Sequence, residues 1–286
     1  MVVVAVLALL GFGLAVALYA VVVERTWFAV RRHVVPCLPA GSTPIRVLHV
    51  SDLHLRSVQR RKQRFMRSLA TLEPDLIVGT GDFLGDEVSV DATVEAMTAT
   101  PARTAALFVL GSNDYYGPKP KNPLRYLSSA RRIPEPGKPN PWQPMVRALE
   151  AKGWTLINNR ALAVGGIDVV GLDDAHIGRA DFSVATERSG DGFRLAVAHS
   201  PDGTRELAAK GYDLIVCGHT HGGQVCLPGF GALVTNSTLP RRMASGLHRM
   251  DGAWLHVSAG LGTSMYAPYR LACRPEVCVL ELVPGE

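Results

Sequence analysis

The chain is poor in cysteine and lacks any cysteine pair. Its five cysteines are scattered, and none of them belongs to a Cys-x-x-Cys motif. An odd number of dispersed cysteines argues against a disulfide framework. The lack of a close pair also argues against a structural zinc site built on cysteines. We therefore expect a fold that does not depend on disulfides, in a reducing compartment or one whose redox state does not matter.

Several other signals are missing. There is no internal repeat and no His-Glu-x-x-His motif, and the pair His219 and His221 is not followed by the Asp-His that a β-lactamase-type metal site has. The net charge is only +5, so the average composition indicates no nucleic-acid partner. No feature indicates an obligate protein partner.

The N-terminus is a long apolar run. Residues 2–23 are 22 residues without a charge, and about 20 helical residues cross the hydrocarbon layer of a bilayer. A cleaved signal peptide would have a basic stretch before this run and a small-residue cleavage site after it. Both are lacking, which favours a retained single-pass anchor in the cell membrane. Arg25, Arg31 and Arg32 follow the run, and this positive flank favours a cytoplasmic domain after the anchor.

The composition divides the rest of the chain. Residues 1–33 are predicted as anchor and juxtamembrane flank, 34–44 as a proline-containing linker, and 45–286 as one folded domain. In that domain short runs rich in valine, isoleucine and leucine alternate with helix-like stretches, which predicts an α/β fold with buried strands. The predicted strands are 46–50, 76–78, 106–110, 169–172, 195–198, 214–216, 255–259 and 277–282.

Two segments of the domain are strongly basic. Residues 59–72 are predicted as a helix with an apolar face and a basic, solvated face. Residues 117–144 contain eight prolines and six lysines or arginines, which predicts a long loop. This loop is either a basic cap over a site or a patch for anionic lipid head groups, or it is simply without fixed structure.

Acidic and histidine side chains recur where predicted strands end. Because loops at strand ends carry the functional groups of α/β folds, we expect these side chains to meet at one edge of a sheet. Carboxylate oxygens and neutral imidazoles are the ligands of two-metal hydrolytic sites. The sequence therefore predicts a binuclear metallohydrolase with these candidate ligands: Asp52, His54, Asp82, His199, His219 and His221.

Four motifs resemble those of the calcineurin-like metallophosphoesterases, especially the bacterial branch with an N-terminal membrane segment. The resemblance extends from about residue 45 to residue 282 and implies a two-sheet sandwich flanked by helices. The Gly-His-Thr-His-Gly-Gly-Gln stretch is the most specific part. The motifs are Ser51-Asp52-Leu53-His54, Gly79-Thr80-Gly81-Asp82, Ala198-His199-Ser200-Pro201 and Cys217-Gly218-His219-Thr220-His221-Gly222-Gly223-Gln224.

The resemblance also implies roles for the candidate ligands. Asp52, His54 and His221 would hold one metal, His199 and His219 the second, and Asp82 would bridge them. The ions would be divalent Mn, Fe or Zn. An activated water would then attack phosphorus in line, with no covalent intermediate.

The chain departs from the family pattern at residues 111–114. Where the family reads Gly-Asn-His-Asp or Gly-Asn-His-Glu, this sequence reads Gly-Ser-Asn-Asp. We expect Asn113 to reach the second metal, with Ser112 as the alternative. Neither residue can replace the family's histidine as a proton donor, and His176 and His248 are the other candidates for that role. A leaving group of low pKa, such as the phosphate of a pyrophosphate bond, tolerates this loss best.

The sequence thus predicts a membrane-anchored phosphoesterase that hydrolyses a phosphodiester or pyrophosphate bond, on a lipid-linked or nucleotide-linked substrate. Asp82, Asn113 and His199 are the predicted catalytic residues, and Arg241 and Arg242 are candidate contacts for a substrate phosphate. The alternatives are a phosphomonoesterase or cyclic-nucleotide phosphodiesterase, and a non-catalytic membrane-tethered scaffold with a degenerate site.

Overall fold

The computed structural model describes residues 1–119 and 137–285. The apolar N-terminal run is a helix. Helix α1 spans Val2–Leu18 and continues through a π-helical turn, Tyr19–Val23, and a 3₁₀ turn, Glu24–Thr26. The 25 helical residues suffice to cross a bilayer, and the most apolar window is entirely unburied by the protein. A single N-terminal helix of this kind fits the predicted anchor.

Fourteen strands occur in the described part of the chain. They are β1 Ala29–Leu38, β2 Ile45–Val50, β3 Leu76–Thr80, β4 Ala105–Val109, β5 Trp154–Leu156, β6 Arg160–Val164, β7 Ile167–Gly171, β8 Arg194–Val197, β9 Leu214–Cys217, β10 Cys226–Leu227, β11 Gly231–Ala232, β12 Gly246–Met250, β13 Ala253–Val257 and β14 Glu276–Pro284. The remaining helices there are α2 Arg60–Ser68, α3 Val90–Met97, α4 Ser112–Tyr115, α5 Trp142–Glu150 and α6 Thr204–Ala209.

Two six-stranded sheets form the domain. One has the order β1-β14-β2-β3-β4-β5 and the other the order β12-β13-β9-β8-β7-β6, with a small β10-β11 hairpin beside them. Strands β2 to β5 run parallel, as do β7, β8, β9 and β13. Parallel strands end at one edge of a sheet, so the loops after β2, β3 and β4 lie together, as do those after β8, β9 and β13.

The alternation of side chains along each strand explains the layers. Val47 and Val78 face the second sheet, where they pack with Val197 and Val216 in a core between the sheets. The neighbouring positions, such as Leu48, face outward and are covered by α2, α3 and α5. Helix α6 covers the outer face of the second sheet. The predicted α/β sandwich with flanking helices is confirmed.

The eight predicted strands are all present, with small shifts at their ends, but the other six described strands were missed, and β1 is the longest of these. Residues 34–38, for which proline predicted a linker, belong to this strand. Pro36 is tolerated because β1 is an edge strand that pairs on one side only, with β14. The division of the chain into anchor, linker and domain stays a prediction.

Of the two basic segments, residues 59–72 can be compared with their prediction in full, and residues 117–144 only in part. The predicted helix over 59–72 is α2 followed by a 3₁₀ turn over Leu69–Leu72. Its basic face is not entirely solvated, because Lys62 is buried and donates to the carbonyl of Leu53 at 2.7 Å. The predicted loop over 117–144 lies mostly outside the described residues, and its last three residues belong to α5.

Candidate metal centre

The candidate ligands meet at the carboxyl ends of five strands. Asp52 and His54 follow β2, Asp82 follows β3, and Asn113 follows β4. The second sheet supplies the remaining three residues. His199 follows β8, and His219 and His221 follow β9. A sixth strand, β13, is followed by the turn on which Asp52 and His54 pack.

Most of these residues have an unusual backbone. Asp52, His54, Asp82, His219 and His221 have φ angles of 48°, 39°, 56°, 70° and 50°. This left-handed region is uncommon for residues other than glycine and costs about 1–3 kcal/mol at each position. Such strain persists only where the surrounding structure enforces it, and it concentrates at functional sites. The backbone turns back directly after each strand and directs the side chain into the cluster.

Four donor groups form one compact set. Ligand atoms of Asp52, His54, Asp82 and His221 all lie within 4.8 Å of one another. The Nε2 atoms of His54 and His221 are 3.3 Å apart. A carboxylate oxygen of Asp82 lies 3.4 Å from His54 Nε2, and one of Asp52 lies 3.5 Å from His221 Nε2. These are the three residues that the resemblance assigned to the first metal, together with the predicted bridge.

The other oxygen of Asp82 faces a second set. His199 Nε2 is 3.5 Å from Asp82 Oδ1 and 3.2 Å from His219 Nδ1. The remaining ring nitrogens are already engaged, since His199 Nδ1 lies 2.7 Å from the carbonyl of Thr80 and His219 Nε2 lies 3.1 Å from that of Asn236. Such hydrogen bonds set the tautomer and leave the opposite nitrogen free to bind a metal. Asp82 therefore separates two groups of donor atoms.

The electrostatics suit bound cations. Burial lowers the pKa of His54 to about 4 and those of His219 and His221 well below the usual value, so these rings are neutral ligands at pH 7. Burial also disfavours the charged form of His199, but Asp82, Asp174 and Asp52 overcome it and raise its pKa to about 10. The carboxylates thus create an excess of negative potential that divalent cations can neutralise.

The two central carboxylates differ. Burial raises the pKa of Asp52 to about 6, although His199 acts in the opposite direction. Burial also opposes ionisation of Asp82, but His199, His54 and the N–H of Asn113 together lower its pKa below the usual range. Asp82 is therefore the more firmly ionised carboxylate. A permanently charged group between two donor sets suits a bridging ligand.

Asn113 lies at the cluster. Its side-chain Nδ2 donates to Asp82 Oδ2 at 2.6 Å, and its backbone N–H donates to Asp82 Oδ1 at 2.8 Å. Ser112, the alternative, begins helix α4 one residue earlier. The contacts to Asp82 favour Asn113, and its role as a ligand stays a prediction.

The candidates for a proton donor are now distinguishable. The ring of His176 packs against that of His219, with centroids 4.4 Å apart. His248 instead lies on β12, and its Nε2 is 2.8 Å from the carbonyl of Ser245. His176 is therefore the candidate beside the metal ligands.

The predicted phosphate-binding arginines are exposed. Arg241 donates to the carbonyl of Leu233 and stacks over the ring of Phe230, and Arg242 is exposed beside it. Nearby in the chain, Asn236 contacts a candidate ligand, because its backbone carbonyl and its side-chain amide both lie 3.1 Å from His219 Nε2. A substrate contact by Arg241 or Arg242 stays a prediction.

Asp114 is a residue that sequence reasoning missed. Its buried carboxylate accepts four backbone N–H groups, from Gly111 at 3.0 Å, Asp82 at 2.8 Å, Phe83 at 2.7 Å and Leu84 at 3.1 Å. It therefore fixes the left-handed turn at Asp82 to the loop after β4. The acidic residue at the end of the Gly-Ser-Asn-Asp motif was the available signal.

Arg270 was also missed, and no local pattern marks it. Its buried guanidinium donates to the carbonyls of Ala259, Gly260 and Gly262 at 2.6–3.1 Å. Its own backbone N–H donates to the carbonyl of Ala20, in the apolar N-terminal helix, at 3.1 Å. The turn at 260–262 packs directly on Asp52 and His54. Arg270 thus connects the end of the apolar N-terminal helix to the loop that carries two candidate ligands.

Gly111 has to be small. A Cβ at this position would contact Asp82 Oδ1 and would lie 2.7 Å from the ring of His199. We expect Gly111→Ala to displace one of these side chains and to weaken Mn²⁺ binding at least about tenfold, since ligand positions tolerate little displacement. Calorimetric titration measures this. Gly190→Ala, where a Cβ meets nothing within 4 Å, is the matched control, and equal affinity in both variants would contradict the expectation.

Two cavities differ in their relation to the cluster. One of about 510 Å³ is lined by Leu38, Ile45 and Leu76 near the start of β2 and β3, at the opposite end from the ligands. The other, about 250 Å³, is lined by His54 and by Arg25 at the end of the anchor. The second is smaller, but it alone of the two includes a candidate ligand, so we take it as the mouth of the site.

Comparisons with known proteins agree with this geometry. The family model of the calcineurin-like phosphoesterases matches residues 45–223, and the chain belongs to this family. It is 29% identical over 284 residues to "Phosphodiesterase YaeI" of Escherichia coli, covering 96% of this chain and 93% of that protein.

Two further relatives bear on the membrane and the substrate. The chain is 25% identical to "UDP-2,3-diacylglucosamine pyrophosphatase LpxG" of Chlamydia trachomatis, covering 82% of this chain and 83% of that protein. It is 30% identical to "Transmembrane protein with metallophosphoesterase domain" of Bos taurus, covering 86% of this chain and 54% of that protein. The predicted family and the predicted hydrolase class are confirmed: the protein is a metal-dependent phosphoesterase.

Proposed function

We propose that this protein is a membrane-anchored binuclear phosphoesterase that hydrolyses a phosphodiester or pyrophosphate bond of a lipid-linked substrate. The observation that carries the proposal is the cavity shared by His54 and Arg25. Arg25 comes two residues after the last apolar residue of the anchor, so it lies at the depth of lipid head groups if the helix spans a bilayer. A substrate held in the membrane would present its phosphate at this cavity.

Attachments between anchor and domain support the same proposal. The buried carboxylate of Glu24 accepts the N–H groups of Ala272 and Cys273 at 3.0 and 2.6 Å. Arg274 stacks over the ring of Trp27 and donates to its carbonyl at 3.0 Å. If the helix spans a bilayer, these contacts would hold the mouth of the site at its surface. The charge bias after the anchor favours the cytoplasmic side.

The residues of the cluster account for the chemistry. Two divalent cations, when bound, would activate water and neutralise the charge that develops on the phosphate oxygens. Asp52, His54 and His221 would hold one of them, His199 and His219 the other, with Asp82 between them. Asn113 orients Asp82 through two hydrogen bonds.

The chemical type of the leaving group is inferred from residue 113, which cannot donate a proton as a histidine would. Asparagine is not a proton donor of the imidazolium kind, and His176, the remaining candidate, packs on the ring of His219 instead of taking position 113, so we infer a leaving oxygen that departs with less protonation than in the family pattern. A phosphate released from a pyrophosphate bond is a much better anion than an alkoxide. We therefore place pyrophosphate-linked lipids first and simple alkyl diesters second. The name of the chlamydial relative fits this order.

A substrate panel tests the proposal. We expect the detergent-solubilised chain with Mn²⁺ to hydrolyse a pyrophosphate-linked lipid at least about tenfold better, in kcat/KM, than a chromogenic phosphodiester, and to leave a monoester largely intact. Preference for the monoester or a cyclic nucleotide would contradict it.

A variant of Arg25 tests recognition of the lipid-linked phosphate separately from the hydrolysis step. Its Nε is buried and has no hydrogen-bond partner. A charged hydrogen bond contributes about 1.5–3 kcal/mol, so Arg25→Ala should lower kcat/KM about 10- to 100-fold for the lipid and hardly at all for the soluble ester. Arg60→Ala, an exposed arginine of α2, is the control. An equal loss in that variant would indicate general attraction to the bilayer instead of binding by Arg25.

A further inference from the structure

A second cluster of metal-binding side chains lies between the two sheets. Ligand atoms of His33 on β1, His256 on β13 and Cys278 on β14 all lie within 4.8 Å of one another. His256 and Cys278 are fully buried, and His33 is partly exposed at the edge of the sandwich. None of the three belongs to the phosphoesterase cluster.

A chain of hydrogen bonds from Thr80 through His49 to His256 leaves one ring nitrogen of His256 available to bind a metal. The Nδ1 atoms of His256 and His49 are 2.9 Å apart, and His49 Nε2 is 2.8 Å from the hydroxyl of Thr80. One proton arrangement satisfies the chain while leaving a lone pair free. In it, His49 Nε2–H donates to Thr80, and His256 Nδ1–H donates to the bare Nδ1 of His49. His256 Nε2 is then unprotonated.

That free nitrogen is unaccounted for by the protein. His256 Nε2 is buried and has no hydrogen-bond partner, and a buried polar atom without a partner is destabilising. His33 and Cys278 are the other potential ligands within reach of it. A metal ligand whose second ring nitrogen donates to a fixed acceptor is the usual arrangement for histidine.

We propose that His33, His256 and Cys278 bind a borderline-soft divalent cation of the zinc class, at a site separate from the phosphoesterase centre. Two imidazoles and a thiolate are the donors that zinc prefers. In a tetrahedral zinc site, ligand atoms are about 3.3–3.8 Å apart, so closure requires side-chain movements of about 1 Å. A water from the side of His33 would complete the four ligands. The Cys278 proton leaves on binding, since the thiolate is the ligand.

The position of the site suggests what it does. It joins β1, the strand that follows the membrane anchor, to one strand of each sheet. Its supporting chain ends at Thr80, whose carbonyl contacts His199 of the phosphoesterase centre at 2.7 Å. A metal here would fasten β1 to the sandwich and hold Thr80 in place.

Cobalt distinguishes this site from the phosphoesterase centre. A thiolate bound to Co²⁺ produces an intense near-ultraviolet charge-transfer band, and the candidate ligands of the phosphoesterase centre are oxygen and nitrogen only. We expect the reduced, detergent-solubilised full chain to develop this band, with an intensity at saturation that corresponds to one thiolate-bound Co²⁺ per chain. Cys278→Ser should abolish the band. Cys226→Ser, the matched control, should retain it.

His33→Ala keeps the test decisive if Cys278→Ser fails to fold. His33 is partly exposed on an edge strand, so its loss is tolerated structurally, and we expect Co²⁺ binding at least about tenfold weaker by the same band. The proposal is overturned if the wild-type chain develops no band, if the band survives in Cys278→Ser, or if Cys226→Ser removes it. The readout does not involve hydrolysis, so it is independent of the proposed function.

Discussion

Replacing Asp82 by alanine is expected to abolish hydrolysis of a chromogenic phosphodiester in the presence of Mn²⁺. Asp82 is buried between the two donor sets, and its oxygens lie 3.4 Å from His54 Nε2 and 3.5 Å from His199 Nε2. If Asp82 is the shared ligand of two ions, its loss would weaken the binding of both, and the charge that develops on phosphate would no longer be neutralised. We expect kcat/KM to fall on the order of 10³-fold or more, which corresponds to about 4 kcal/mol.

The control for this variant is Asp91→Ala, which removes an exposed carboxylate from α3. It should retain the wild-type rate. Metal analysis of the purified Asp82→Ala protein should also find less Mn²⁺ than in the control. Wild-type activity in Asp82→Ala would refute the site, whereas inactivity of the wild-type chain with every ester would favour the non-catalytic scaffold.

Asp114→Ala is expected to cause the largest loss of stability. The variant leaves four buried backbone N–H groups without an acceptor, and each such group costs about 1–3 kcal/mol, with partial compensation by local rearrangement. We expect the free energy of unfolding to fall by about 3–5 kcal/mol. Urea unfolding of the detergent-solubilised chain, followed by circular dichroism, measures it.

Asp114→Asn separates stability from charge. The amide retains one carbonyl oxygen as an acceptor, so this variant should lose less stability than Asp114→Ala. Asp181→Ala removes an exposed carboxylate that caps a surface 3₁₀ turn and should cost much less stability than Asp114→Ala. If Asp114→Ala were as stable as Asp181→Ala, the four hydrogen bonds would not hold the Asp82 turn.

Much of the site could be predicted because its signal is local. Each candidate ligand directly follows an apolar run, and a buried parallel strand has a clear composition. The order of the motifs then implied that Asp52, Asp82, His199 and His219 meet. The same local patterns missed β1. Proline in this segment predicts a linker, because the sequence does not reveal that β1 is an edge strand, where proline is tolerated.

The residues that support the site could not be predicted in the same way. Arg270 is buried among backbone carbonyls of its own loop, and nothing in its neighbours marks it as different from a surface arginine. His33, His256 and Cys278 come from three strands that are far apart in sequence. Their proximity depends on the register of β1 against β14 and on the packing of one sheet over the other.

The sequence by itself determined the apolar N-terminal helix, eight of the fourteen described strands and the chemical type of the candidate ligands, because hydrophobic length, strand composition and side-chain chemistry belong to short segments. Only the tertiary structure decided that the mouth of the site, lined by His54 and Arg25, lies at the end of the apolar N-terminal helix. It alone decided that Asp114 holds the turn at Asp82 and that a second cluster forms around His256. Those arrangements depend on long-range strand pairing and sheet packing, which bring together residues that local patterns treat as unrelated.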